Sequence, residues 1–144
     1  MTNNILIIFI ATFLMFFTFT NSSAEDEKHL MEYYKNGQAT ELPSMNITGI
    51  NAYLKDMIFT NDPDSPVVCG LFRMEKGAPL TYTYTYDEAK IIIEGEMTIA
   101  EEGGEVFVAV AGDIIYFAKG ATITFTSKSY GIGFICGQRA VDEF

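Results

Sequence analysis

The chain has 144 residues, 19 acidic and 9 basic, giving a formal charge of -10 and an isoelectric point near 4.4. Two arginines and seven lysines on so acidic a background argue against nucleic acid or an anionic bilayer as partner, because both require a basic surface. Hydrophobic residues at 49% against 19% charged exclude a disordered chain, and the length fits one domain.

The first 24 residues carry no charged side chain and hold five of the twelve phenylalanines. From Ile5 to Phe19 the run ILIIFIATFLMFFTF spans 15 residues, short of the ~20 needed to cross a bilayer. It reads as the core of a secretory signal peptide, with Ser22 and Ala24 at the small-residue positions before a cleavage site. Cleavage after Ala24 and export are therefore expected. No Lys or Arg precedes the run, so an uncleaved anchor and a start at Met31, giving a cytoplasmic product, are the alternatives. Of the sequons Asn21-Ser22-Ser23 and Asn46-Ile47-Thr48, only the second survives cleavage.

Residues 25–45 read as a lead-in. EDEKHLMEYYKNGQ opens with a charge run, passes through a short helix around Leu30–Tyr34 and meets a stop signal at Gly37. From Asn46 to Phe144 the pattern changes to β-branched and aromatic stretches separated by Gly, Pro, Asp and Asn. Strands are predicted at Pro66–Met74, Leu80–Tyr86, Ala89–Glu94, Glu96–Ala100, Glu105–Val110, Asp113–Phe117, Thr122–Thr126 and Gly131–Gly137. Alternation in MTIA, VFVAV and TITFT turns one face of each toward a core. The fold class is all-β, a sandwich or barrel.

The turn spacing narrows the fold. Glu88 and Gly95 in DEAKIIIEGEMTI, followed by GDIIYFAKGATITF, resemble the two motifs of a cupin, the small jelly-roll barrel. YKNGQATELP, CGLFRMEKGAP, TYTYTYDEAKIIIEGEMTI and YGIGFICGQR resemble the small stand-alone ethanolamine-utilisation (EutQ-like) cupins from about Met31 to Arg139. The resemblance implies a single-domain cupin jelly-roll barrel with a short N-terminal lead-in. Metal-binding cupins place histidines where this chain has Tyr82, Tyr84 and Ile123, and only Glu88 of the usual ligand set remains. No metal and no cofactor are therefore expected, and the lone His29 lies outside both motifs. Homodimerisation is implied by the resemblance. The same topology sets the strand of Cys69 antiparallel to that of Cys136, leaving a cross-strand disulfide or two neighbouring buried thiols as outcomes.

In an extended strand Tyr82, Tyr84 and Tyr86 share a face, and Glu88 and Lys90 continue its parity. Three readings follow. The tyrosine wall binds an unknown small molecule oriented by Glu88 and Lys90. Alternatively, Glu88 is a general base and Lys90 or Tyr84 an acid or oxyanion stabiliser in a metal-independent lyase, isomerase or tautomerase. Members of the resembled family are also associated with acyl-phosphate chemistry, but no phosphate-binding glycine loop is present. In the third reading the tyrosines fill the barrel and Glu88 and Lys90 form a structural pair.

Overall fold

Short apolar stretches that alternate along the chain cannot bury a face alone, and here they pair into antiparallel sheets that close over a shared core. In the computed structural model, which describes residues 31–60 and 62–144, the eight strands are β1 (Ala52–Phe59), β2 (Val68–Glu75), β3 (Leu80–Thr83), β4 (Glu88–Glu101), β5 (Val106–Val110), β6 (Ile114–Phe117), β7 (Thr122–Thr126) and β8 (Tyr130–Gly137). Residues 1–30, and with them the signal-peptide reading and the start of the predicted helix, lie outside the described residues.

The strand order is β1-β2-β8-β4-β7-β3, with β5 and β6 also paired to β4. β4 is the hinge of this arrangement. Its first half pairs with β6 and β8, and its second half pairs with β5 and β7. The register slips between Ile92 and Glu94, and Gly95 adopts a φ of 69°. A Cβ at Gly95 would meet the Tyr130 carbonyl oxygen, so glycine is needed where the strand bends from one sheet into the other. The result is the curled all-β barrel expected from the motifs.

Four expectations are corrected. Ala89–Glu94 and Glu96–Ala100 form one bent strand, because the slip between Ile92 and Glu94 and the positive φ of Gly95 bend the ladder without ending it. A strand absent from the sequence reading, β1, pairs along β2, its alternation obscured by Lys55 and Asp56 and by a slip between Asp56 and Ile58. The predicted strand Leu80–Tyr86 ends at Thr83. No helix forms over Met31–Tyr34; instead a single 3-10 turn spans Gly37–Ala39, where a stop had been read.

The segment before β1 is tied to the barrel. Leu54 N–H donates to Pro43 O at 3.2 Å, Met45 N–H donates to Ala52 O at 2.9 Å, and Met45 packs against the core. That core is built from Phe72, Met74, Ile92, Met97, Ile99, Phe125 and Ile135, which come from both sheets.

Candidate ligand-binding site

The chain between β3 and β4 leaves the ladder but is pinned at both edges. Tyr84 N–H donates to Ala121 O, Gly120 N–H donates to Tyr84 O, and Gln138 N–H donates to Asp87 O, at 2.8 to 2.9 Å. Lys119 N–H adds a bond to Asp87 Oδ1 at 2.8 Å. These contacts pin the connection on either side of a bend at Thr85 and Tyr86, and Tyr84, Tyr86, Glu88 and Lys90 are all buried. Tyr82, on β3, is half-buried beside them.

Together these side chains line a cavity of about 320 Å³. Its opposite wall is apolar and comes from Leu54, Phe72, Leu80, Phe125 and Ile135. Tyr82 meets Tyr84 edge-on at 5.0 Å, Tyr84 meets Tyr86 edge-on at 5.7 Å, and Tyr84 stacks on Phe117 at 4.9 Å. These are favourable aromatic geometries, and they gather the tyrosines into one wall.

At the floor, Tyr84 Oη donates to Glu88 Oε1 at 2.9 Å, and Lys90 Nζ lies 3.6 Å from the same oxygen. Glu88 and Lys90 are each 3% exposed. The Lys90 ammonium sits over the rings of Phe125, Phe72 and Phe117 at 4.3, 4.4 and 5.2 Å. Burial holds Lys90 below the usual lysine range, with Glu88 opposing that shift. Tyr84 and Tyr86 are pushed above the usual phenol range, first by burial and then by the Glu88 charge, so both stay protonated as donors.

Arg139, just after β8, also lines the cavity and was not singled out in the sequence. Its guanidinium grips Asp56 at 2.6 and 2.8 Å, and Asp142 N–H donates to Asp56 Oδ2 at 3.0 Å. Although burial opposes the carboxylate, these bonds hold Asp56 below the usual aspartate range. Arg139 Nε is buried without a partner among the described residues. The available signal was simple: Arg139 is one of two arginines in an acidic chain and directly follows the last strand. Gly133 and Gly137 were also missed. A Cβ at Gly133 would lie 3.0 Å from Lys90 Cγ, and one at Gly137 would lie 2.8 Å from Tyr86 Cε2, so both glycines make room for the site.

A transition metal does not fit these residues. Ile123, opposite Tyr82 in the β3–β7 register, has no donor atom, and Glu88 is engaged by Tyr84 and Lys90. The two cysteines face each other directly across β2 and β8. Cys69 and Cys136 are joined as a disulfide with Cα atoms 4.1 Å apart.

The sequence profile described as "Ethanolamine utilisation protein EutQ" matches residues 37–136. The chain belongs to the EutQ family. It is 34% identical over 76 residues to "Acetate kinase EutQ" of Escherichia coli K12, a match covering 53% of this chain and 31% of that protein. The corresponding Clostridioides difficile protein is 33% identical over 78 residues, covering 54% and 48%. The chain thus spans less than half the length of these relatives. Among solved structures, ethanolamine utilisation protein Q of Salmonella typhimurium superposes with a TM-score of 0.60 at 25% identity, covering 73% of this chain and 84% of that one. An RmlC-like cupin from Shewanella frigidimarina superposes at 0.61 with 18% identity, covering 79% and 96%, and shares the fold. The chain is a EutQ-like cupin.

Proposed function

We propose that this EutQ-like cupin binds a small, largely apolar molecule bearing one polar group. The observation that carries the reading is the 320 Å³ hollow, whose walls are mainly aliphatic and aromatic while Tyr84, Glu88 and Lys90 converge at its floor. A concave apolar site with few convergent polar groups is the usual form of a small-molecule pocket. The molecule's body lies against Phe72, Leu80 and Phe125, and its polar group meets the Glu88–Lys90 pair. The filled-barrel reading has no such hollow.

Acetate kinase activity, which the relatives' name gives them, or other acyl-phosphate chemistry is less well supported for this chain. Lys90 and Arg139 are the cations at the cavity, and each already has its own carboxylate, Glu88 and Asp56. Export after cleavage at Ala24 remains part of the proposal, supported by the N-terminal apolar run and by a disulfide suited to an oxidising compartment.

The test is a thermal-shift screen of small neutral and zwitterionic molecules against the wild type and Leu80→Trp, whose indole fills the hollow. A ligand at a hundredfold excess over its Kd stabilises the native state by about 2.7 kcal/mol, and the filled variant loses that gain. Equal responses of both proteins to every stabilising compound would place binding elsewhere and defeat the reading.

A further inference from the structure

Lys90 stands apart from the other described lysines. Lys35, Lys55, Lys76, Lys119 and Lys128 are exposed, whereas Lys90 is buried at the floor of a cavity large enough for a small organic molecule. Its Nζ has a carboxylate at 3.6 Å and aromatic faces around it. That carboxylate is itself fixed by the Tyr84 hydroxyl.

We propose that Lys90 captures an aldehyde or ketone as an imine, with Glu88 relaying the protons and Tyr84 holding Glu88 in place. The proposal rests on the pocket reading above and names its substrate class, a neutral carbonyl compound with an apolar body. Each requirement of the reaction has a residue to meet it. The nucleophile must be an uncharged amine, and transfer of one proton from Lys90 to Glu88 within the pair supplies it without a proton from solvent. The hollow's burial favours that neutral form.

The atoms balance. The Nζ lone pair forms a C–N bond to the carbonyl carbon, and the C=O π pair moves to oxygen, which takes the proton held by Glu88. Glu88 then accepts a proton from the nitrogen, giving a neutral carbinolamine. Glu88 returns that proton to the hydroxyl, the C–O bond breaks, and water leaves. The product is a protonated imine, paired with the Glu88 carboxylate as the ammonium was before. One carbonyl compound is consumed, one water is released and nothing is oxidised or reduced. The Phe72, Phe117 and Phe125 faces that accept the ammonium also accept the iminium charge.

The test uses the full protein at pH 7 with limiting benzaldehyde and cyanoborohydride, followed by peptide mapping. Benzyl alcohol is the non-carbonyl control, and thermal shift reports binding of both compounds. One benzyl group on Lys90, in at least about tenfold preference over any exposed lysine, is expected, because the cavity holds the carbonyl carbon beside Nζ and raises its effective concentration there. Glu88→Gln should slow trapping by about 10²-fold, the loss typical of a missing proton relay. Lys90→Met should abolish it. Should that variant fail to fold, the wild-type peptide map decides alone. Benzylation scattered over exposed lysines with Lys90 untouched overturns the imine. If both compounds still raise the melting temperature in that case, the pocket reading survives. If neither does and Lys90 is unmodified, both fail for this ligand class.

Discussion

Removing one member of the Glu88–Lys90 pair strands the other in a nearly dry site, each residue being 3% exposed. The consequence has a ceiling as well as a sign. In Glu88→Gln the remaining lysine keeps only ring faces as partners, and it escapes by losing its proton. At pH 7 neutralising a lysine costs at most about 4.6 kcal/mol, the distance from its reference pKa at about 1.4 kcal/mol per unit. In Lys90→Met the stranded carboxylate escapes by taking up a proton, which costs at most about 3.7 kcal/mol by the same reckoning. Both figures agree with the roughly 3–5 kcal/mol seen when one partner of a buried pair is removed. The pH dependences run in opposite directions. The native Glu88→Gln variant holds fewer protons than its unfolded chain, so its deficit shrinks as pH rises toward the lysine range. The native Lys90→Met variant holds more, so its deficit shrinks as pH falls toward the carboxylate range. The double variant carries neither charge and should recover at least about 3 kcal/mol relative to the sum of the singles. Urea unfolding followed by far-UV circular dichroism at pH 5, 7 and 9 measures all of this. Additive single losses with no opposed pH trend would refute the buried-pair reasoning.

Further outcomes follow from other parts of the fold. Tyr84→Phe removes a hydrogen bond to a charged, buried acceptor while keeping the ring stack on Phe117, and should cost about 1.5–3 kcal/mol in the same urea assay. Reducing Cys69–Cys136 frees a loop with a sequence separation of 67, and Cys69→Ser with Cys136→Ser should destabilise by about 4 kcal/mol on chain-entropy grounds. Because Asp56 is held below its ordinary range by Arg139 against the opposing effect of burial, its stabilisation is present above the unfolded carboxylate value. That stabilisation is lost as pH falls through the lower folded value, so acid unfolding below about pH 4 should flatten in Asp56→Asn, which also loses roughly 3–5 kcal/mol at neutral pH. Intact mass of the exported product should begin at Glu25; retention of Phe9 through Phe19 contradicts cleavage.

How far the site was legible depends on which physical signal reached the sequence. Period-2 alternation placed Tyr82, Tyr84, Tyr86, Glu88 and Lys90 on one face, and the structure brings all five to the cavity although the strand ends at Thr83. The parity survived because hydrogen bonds from Tyr84, Gly120 and Gln138 pin the connection on either side of its bend at Thr85 and Tyr86. β7 was found to the residue because TITFT alternates without interruption. β1 escaped because it runs AYLKDMIF, where two charges and a bulge erase the alternation. Arg139 and Asp56 escaped for a different reason: they are 83 residues apart, and only the antiparallel path β1-β2-β8 brings them together. The room left by Gly133 and Gly137 is likewise a cross-strand property, invisible along one strand.

The charge arrangement of the cavity constrains what it can hold more tightly than its size does. Two cations and one carboxylate line it, and each cation is paired, Lys90 with Glu88 inside the cavity and Arg139 with Asp56 behind it. Each pair is internally neutral, so a ligand meets no surplus charge of either sign. A phosphate dianion entering such a site would give up its hydration without a free cation to receive it, and burying uncompensated charge is costly. A neutral molecule pays no such penalty, and its carbonyl oxygen needs only a donor. Neutrality of the pocket and nucleophilicity of Lys90 then have one origin. The carboxylate that cancels the lysine's charge is also the group positioned to take its proton, and the Tyr84 bond that fixes Glu88 serves both. At a pH low enough for the stranded Lys90 to keep its proton, Glu88→Gln should therefore alter charge preference and reactivity together, admitting anionic ligands that the wild type rejects while slowing imine formation. A variant that changed only one of these would separate the two properties and break the argument.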